Sequence, residues 1–263
     1  MKQILAVLLA AALLNACSLL PDQIDETKDW SAAKLYDKAK GNLLDSNYAD
    51  AVKNFEKLEA RYPYGPYAQQ AQLEVAYAYY KDNEPVSAIA ACDRFIKLHP
   101  DHANVDYAYY LKGLANFISD GGLFSGLADQ DMSERDPRAA QESFDAFKEL
   151  TDRFPNSKYT PDALARMRYL VDNLAWHEVH VANYYYQRGA YVAAVNRVKY
   201  ALEHYQQAPA MEQGLTIMAK SYDKLGLNAL RDDSLRVLKQ NFPNSAQPGA
   251  SGHQVKKAWW RFW

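Results

Sequence analysis

YADAVKNFEKLEARYP, running from Tyr48 to Pro63, decides how the chain is read. Tyr48, Ala51, Phe55 and Leu58 are three or four residues apart, so they share one face of a helix, and Pro63 ends it. The same frame returns as Ala88, Cys92, Phe95 and Pro100, then as Ser143, Phe147, Leu150 and Pro155. It comes again with Gly189, Tyr191, Ala194, Val198 and Ala201, and last with Gly226, Leu235, Leu238 and Pro243. Taking Gln206 as the proline equivalent of the fourth unit, the terminal positions lie 37, 55, 51 and 37 residues apart. The two long intervals therefore carry insertions. Strand signals are nearly absent.

This frame resembles the tetratricopeptide repeat, a pair of antiparallel helices of about 34 residues. There a small residue lets the two helices approach, an aromatic packs on the next unit and a proline closes the second helix. The expectation is an all-α solenoid of about five helix pairs over residues 31–243, with a loop insertion in the third. That insertion is SDGGLFSGLADQDMSERDP, Ser119 to Pro137. Its Leu123, Phe124 and Leu127 belong either to a binding or gating loop or to a satellite apolar cluster beneath it. The other long interval reads as continuous helix from about Pro161 to Arg188, which would brace two neighbours.

The chain opens MKQILAVLLAAALLNAC, with Lys2 ahead of an apolar run from Ile4 to Leu14. Such a run is too short for a bilayer span, which needs about 20 residues. Residues 1–16 read as a secretory signal, and its end resembles the lipobox of bacterial lipoproteins, with Cys17 as the lipidated residue. An ordinary cleavage site would have a small residue where Leu14 stands. Asn15 departs from the usual lipobox residue, which would slow processing. Ser18, in place of an aspartate, suggests the outer membrane. Residues 17–30 become a linker carrying N-acyl and S-diacylglycerol lipid, and several acyl chains make a lasting anchor.

Without Lys2 the formal charge moves only from −2 to −3, which gives no support to a nucleic-acid role. Cys92 is then the last cysteine and cannot form an intramolecular disulfide; Ile89, Phe95 and Ile96 around it mark a buried apolar side chain. After Pro243, NSAQPGASG is a linker by composition, and residues 244–263 close with HQVKKAWWRFW. Trp259, Trp260, Phe262 and Trp263 beside Lys256, Lys257 and Arg261 suit a membrane interface, and equally a cap on the open end of a solenoid.

Motifs for chemistry are sparse. His177, Glu178 and His180 invite a metal-hydrolase reading, but H-E-x-x-H needs its histidines four apart, on one helix face, and here they are three apart. No nucleophile elbow, phosphate loop or dinucleotide fingerprint occurs, so the chain reads as no enzyme and as needing no cofactor.

Tyrosine is the unusual component, with six in RYPYGPYAQQAQLEVAYAYY, Arg61 to Tyr80. In such arrays the first helix of each pair lines the concave surface. That places Gln70, Leu73, Tyr77 and Tyr80 on the line, with Tyr36 and Lys40 before them and Tyr107 and Tyr110 after. Tyrosine suits a peptide groove, offering apolar area at low entropic cost and a hydroxyl for the backbone. Tyr79 and Ala76 point elsewhere. Tyr62, Tyr64 and Tyr67 flank the bend that Pro63, Gly65 and Pro66 impose.

RYPYGPYAQQ, LEVAYAYYK, DRFIKLHPDHANVDYAYYLKGL, RDP, RFPNSKYTPDA and YYYQRGAYVAAVNRV together resemble the BamD family, lipoproteins of the outer-membrane β-barrel assembly machinery. The resemblance runs from about Trp30 to Pro243 and does not include the aromatic tail. It implies a scaffold on the periplasmic face of the outer membrane. Its N-terminal repeats would receive the C-terminal targeting segment of unfolded outer-membrane proteins, which ends in an aromatic residue. Its C-terminal repeats would dock on BamA, the barrel subunit, beside other lipoproteins. Tyr62, Gly65, Pro66 and Tyr67 carry over to the recognition region, and Arg197 with Asn196 to the BamA contact. Locally, a stripe of Val192, Val195, Val198 and Leu202 would leave Asn196 and Arg197 turned outward, where Arg197 could pair with a partner carboxylate. The rival reading is a cell-wall-associated or competence lipoprotein that organises envelope enzymes.

Overall fold

The structure, a computed structural model, describes residues 25–119 and 137–243. These form ten α-helices and no strand. In chain order they are α1 (Ala32–Leu44), α2 (Tyr48–Arg61), α3 (Pro66–Lys81), α4 (Pro85–Leu98) and α5 (Val105–Ser119). After the insertion come α6 (Arg138–Arg153), α7 (Thr160–Gln187), α8 (Tyr191–His204), α9 (Met211–Lys224) and α10 (Asn228–Asn241). Cys17, most of the 119–137 insertion and the 244–263 tail lie outside the described residues.

The turns are written in the sequence. Within four of the five pairs, a residue with positive φ follows the first helix: Ser46, Asn83, Gly189 and Gly226. The next amide donates back five residues, from Asn47 to Asn42, Glu84 to Tyr79, Ala190 to Tyr185 and Leu227 to Tyr222, at 2.8–2.9 Å. That is the six-to-one bond of a Schellman ending, which satisfies carbonyls the helix cannot. The second helix of each pair ends on a residue outside helical geometry, with φ of −127 to −134° and ψ of 40 to 67°, namely Tyr62, His99, Phe154, Tyr205 or Phe242, whose amide donates four residues back at 2.8 Å. Four of these five precede a proline, which excludes them from helix. Pro66 then opens α3 in its first turn, after Gly65 at φ +100°.

Each helix packs on its chain neighbours, and the first helices of successive pairs also touch, α1 on α3, α3 on α5 and α7 on α9. This is the nearest-neighbour packing of a tetratricopeptide solenoid. Three apolar clusters follow one another along it, centred on Phe55 and Leu58, on Phe95, Phe147 and Leu150, and on Val179, Val198 and Met211. At the Phe55 position of the frame the repeats carry Cys92, Phe147 and Val198, all fully buried. The last repeat carries Leu235 there, 40% exposed, because no described helix follows to cover it. Cys92 is a buried apolar side chain as expected, and burial pushes its thiol up to about 12.

α5 and α6 pack tightly at Gly113. A Cβ there would sit 2.4–2.8 Å from three ring atoms of Phe147, and Ser143 Oγ donates to the Gly113 carbonyl at 2.8 Å. α7, 28 residues long, touches α6, α8 and α9, so it braces two repeats as its length implied.

Candidate functional site

α1, α3 and α5 line up side by side and leave a groove of about 660 Å³, whose lining also includes Lys158 and Tyr159 from the turn before α7. Leu73 forms part of its floor and is almost fully buried, while Tyr77 and Tyr107 contribute half-buried rings. Gln70, Asn104 and Lys40 add polar groups. The groove is thus amphipathic and open, the chemistry of a site that holds an extended chain by its side chains and backbone together.

Its electrostatic centre is Glu74, a 9%-exposed residue on α3. One carboxylate oxygen accepts from Lys40 Nζ at 2.6 Å, from Gln70 Nε2 at 3.2 Å and from the Tyr36 hydroxyl at 3.3 Å. Burial, together with the charge of Glu74, pushes the Tyr36 phenol up to about 12. Burial also raises Tyr107 and Tyr110 far above the ordinary phenol value. These hydroxyls stay protonated at any physiological pH and act as neutral donors.

The expected site residues divide into three groups. Gln70, Leu73 and Tyr77 line the groove itself. Tyr36 sits behind it, with its ring centroid 5.6 Å from that of Phe55 and 5.5 Å from that of Tyr67. Tyr80 and Tyr110 lie outside the lining. Tyr80 packs on the first apolar cluster. The Tyr110 ring stacks on Tyr159 at 4.8 Å, and its hydroxyl donates to Asp162 at 2.7 Å, so it buttresses the Tyr159 ring from behind. Tyr62, Gly65, Pro66 and Tyr67 are exposed at the α2–α3 bend, beside Tyr64, which is 91% exposed. The Tyr62 hydroxyl has a structural task as well, since it donates to the Trp30 carbonyl at 2.8 Å and ties down the approach to α1. Arg61 reinforces that tie by donating to Asp25 and to the Thr27 carbonyl.

Glu74, Lys158 and Tyr159 escaped the sequence reading. Glu74 lies beside Leu73 on the same helix, and its burial was invisible because a glutamate in a helix ordinarily faces water. Lys158 and Tyr159 reach the groove from the turn between α6 and α7, a full helix beyond α5 in the chain, at a distance that no periodicity reports.

At the other end, Arg197 differs from expectation. Its guanidinium donates to Glu178 on α7 at 2.9 and 3.3 Å, so its carboxylate partner belongs to its own chain. Glu178 is nearly buried, while the Arg197 side chain keeps 43% of its exposure. The α8 core stripe is Ala194, Val195, Val198 and Ala201, and Val192 is 60% exposed. One residue's rotation of the stripe explains both corrections. Asn196 is exposed as expected. Among the described residues, no group of three or more His, Cys, Asp and Glu could hold a metal ion.

Comparison with known proteins bears on all of this. The sequence profile of the YfiO family, described as outer membrane lipoprotein, matches residues 28–238. The chain is 46% identical over its full length, and that of the relative, to the outer membrane protein assembly factor BamD of Neisseria meningitidis serogroup A. It is 38% identical to the BamD of Xylella fastidiosa strain Temecula1, over 92% of this chain and 82% of that one. Against the BamD of Vibrio cholerae the identity is 34%, over 91% and 98%.

Proposed function

The chain belongs to the YfiO family of outer membrane lipoproteins, a premise from which we propose that it serves as an outer membrane protein assembly factor acting by binding alone. Lipid on Cys17 holds it at the periplasmic face of the outer membrane. Its N-terminal repeats receive the C-terminal segment of unfolded outer-membrane proteins, and its C-terminal repeats dock on a BamA-type barrel subunit among other lipoproteins. One observation carries the first half of this reading: the groove of α1, α3 and α5, walled by Tyr77, Tyr107 and Tyr159 and floored by Leu73. Such rings can accept side chains of an extended strand, while Gln70 and Asn104 can bond its backbone. Affinity for each client is modest, because a client must leave to be inserted.

The docking face includes Asn196 and the exposed part of Arg197. Because Arg197 is anchored by Glu178, it presents a fixed guanidinium edge, which loses less entropy on binding than a free side chain.

Tyr77→Ala tests the groove. The side chain is half-buried and its loss leaves the helix intact, so the circular dichroism spectrum stays helical. Affinity for a client's C-terminal peptide should fall about tenfold, the cost of removing a central aromatic anchor. Unchanged affinity in a folded variant removes the groove from client binding.

A further inference from the structure

The ten helices of the described residues run alternately up and down, which returns the chain to the edge it started from. The pair that brackets the insertion follows the rule, since Tyr109 near the start of α5 meets Phe154 at the end of α6, ring centroids 5.8 Å apart. The turns between pairs therefore share one edge with the start of α1 and the end of α10. Hydrogen bonds tie that edge together: the Tyr62 hydroxyl donates to the Trp30 carbonyl at 2.8 Å, and Ser157 Oγ donates to Asp106 at 2.6 Å. Two lengths of chain leave from it. One runs back to Cys17 from Asp25, which Arg61 and Lys57 hold against the end of α2. Eight residues reach at most about 28 Å, so lipid on Cys17 keeps this edge within that distance of the bilayer. The other runs from Pro243 to HQVKKAWWRFW.

This edge differs in surface from the opposite one. Tyr64 in its first turn is 91% exposed, and Tyr62, Tyr67 and Leu98 are exposed as well. α2, α4, α6, α8 and α10 each end there with a base in the last turn: Arg61, Lys97, Arg153, His204 and Lys239. A helix C-terminus favours cations in general. Yet of the five first helices, which end on the opposite edge, only α3 and α9 carry one, Lys81 and Lys224. The turns of that opposite edge present exposed Asp45, Asp82 and Glu84.

We propose that the inter-repeat edge rests on an anionic bilayer surface, and that the tail from Lys256 to Trp263 is a second attachment to it, separate from the lipid. This rests on the lipid-anchored reading for the distance of the edge from the membrane. Indoles settle at headgroup depth, and Lys256, Lys257 and Arg261 are drawn to anionic lipid. Twelve residues, 244–255, reach at most about 42 Å, enough to bring the tail from the end of α10 to the same surface. The open face of α10 suits this tail less well. Its acids Asp232 and Asp233 already pair with Arg231 and Arg236, and Lys239 adds a like charge. Held at both chain ends, the helices stand along the membrane normal and the groove of α1, α3 and α5 opens sideways, parallel to the surface.

The test uses the mature chain from Ser18 to Trp263, made without lipid, and vesicles of phosphatidylcholine with or without phosphatidylglycerol. Co-sedimentation should find binding to the anionic vesicles about a hundredfold tighter than to the neutral ones, three cations contributing about fivefold each. That preference should shrink as salt is raised. Trp259→Ser, Trp260→Ser, Phe262→Ser and Trp263→Ser together should abolish binding and leave Tm at the parent's value. An environment-sensitive dye on Tyr64→Cys should shift to the blue when vesicles are added, and one on Asp45→Cys, at the opposite edge, should not; Cys92 is buried and takes no label. A parent chain that ignores anionic vesicles, or binding that survives the tail change, overturns the second attachment. Equal shifts at both positions overturn the edge. A tail change that lowers Tm, in a chain that binds no vesicles, overturns the proposal in favour of a cap on α10. The lipid on Cys17 is read separately, from the mass of the protein purified from membranes; its absence removes the tether and leaves the vesicle result standing.

Discussion

Replacing Gly113 by alanine sets two effects of opposite sign against each other. Gly113 lies inside α5, where alanine is worth about 1 kcal/mol more than glycine from backbone entropy alone. A reading from helix propensity therefore predicts a more stable protein. The structure predicts the reverse. The new Cβ would lie 2.4, 2.5 and 2.8 Å from ring carbons of Phe147, where about 3.5–4.0 Å is the comfortable separation. The ring must retreat by about 1 Å, and it is fully buried, with Tyr110 6.0 Å away centroid to centroid. α5 and α6 would have to separate instead, which lengthens the Ser143 bond to the Gly113 carbonyl. Overpacking of this kind costs about 1–3 kcal/mol, and an aromatic ring met by three close contacts belongs at the upper end. The net loss is then about 2 kcal/mol after the helix gain is subtracted. For a domain of this size that lowers Tm by about 4–8 °C. Urea titration followed by helical circular dichroism measures it, and Phe147→Leu in the same background supplies the control. If the clash is the cause, Gly113→Ala must cost less when Phe147 is already leucine, a coupling visible in a double-mutant cycle. A Gly113→Ala protein as stable as the parent, or more so, refutes the packing argument.

Arg197→Met strands the nearly buried Glu178 without a donor and should cost about 1–2 kcal/mol, moderated by the exposure of the arginine. Adding Glu178→Gln should recover most of it in the same urea titration, and a cost unaffected by the second change would dismiss the pair. For this reason a charge reversal at Arg197 weakens partner docking through the fold as well as through the surface. Cys92 should resist iodoacetamide at pH 8 until urea unfolds the chain, because its thiol is pushed up to about 12 by burial. In the unfolded chain a thiol titrates near 8.5, so Cys92 contributes its full stability below about pH 8.5. That contribution is lost as pH rises toward 12, because only the unfolded state releases the proton readily. Fast native labelling, or stability that rises across that range, would contradict the burial.

The sequence by itself determined the repeats, their number and most of their ends. Those features are local: a helix face repeats every three or four residues, and a Schellman turn or a non-helical residue before proline is set by a handful of neighbouring backbone angles. The last-repeat position of Leu235 and the buried thiol of Cys92 were legible for the same reason. What only the tertiary structure decided is who meets whom across helices. Periodicity reports that a face is buried but not what lies opposite, so it could place Tyr77 on the concave side without finding Lys158 beside it. It could not show that Glu74 gathers three donors from α1 and α3. Nor could it show that Arg197 spends its charge on Glu178, since a stripe rotated by one residue satisfies the same spacing. The groove's charge is a property of several helices stacked in register, and it exists only once they are packed.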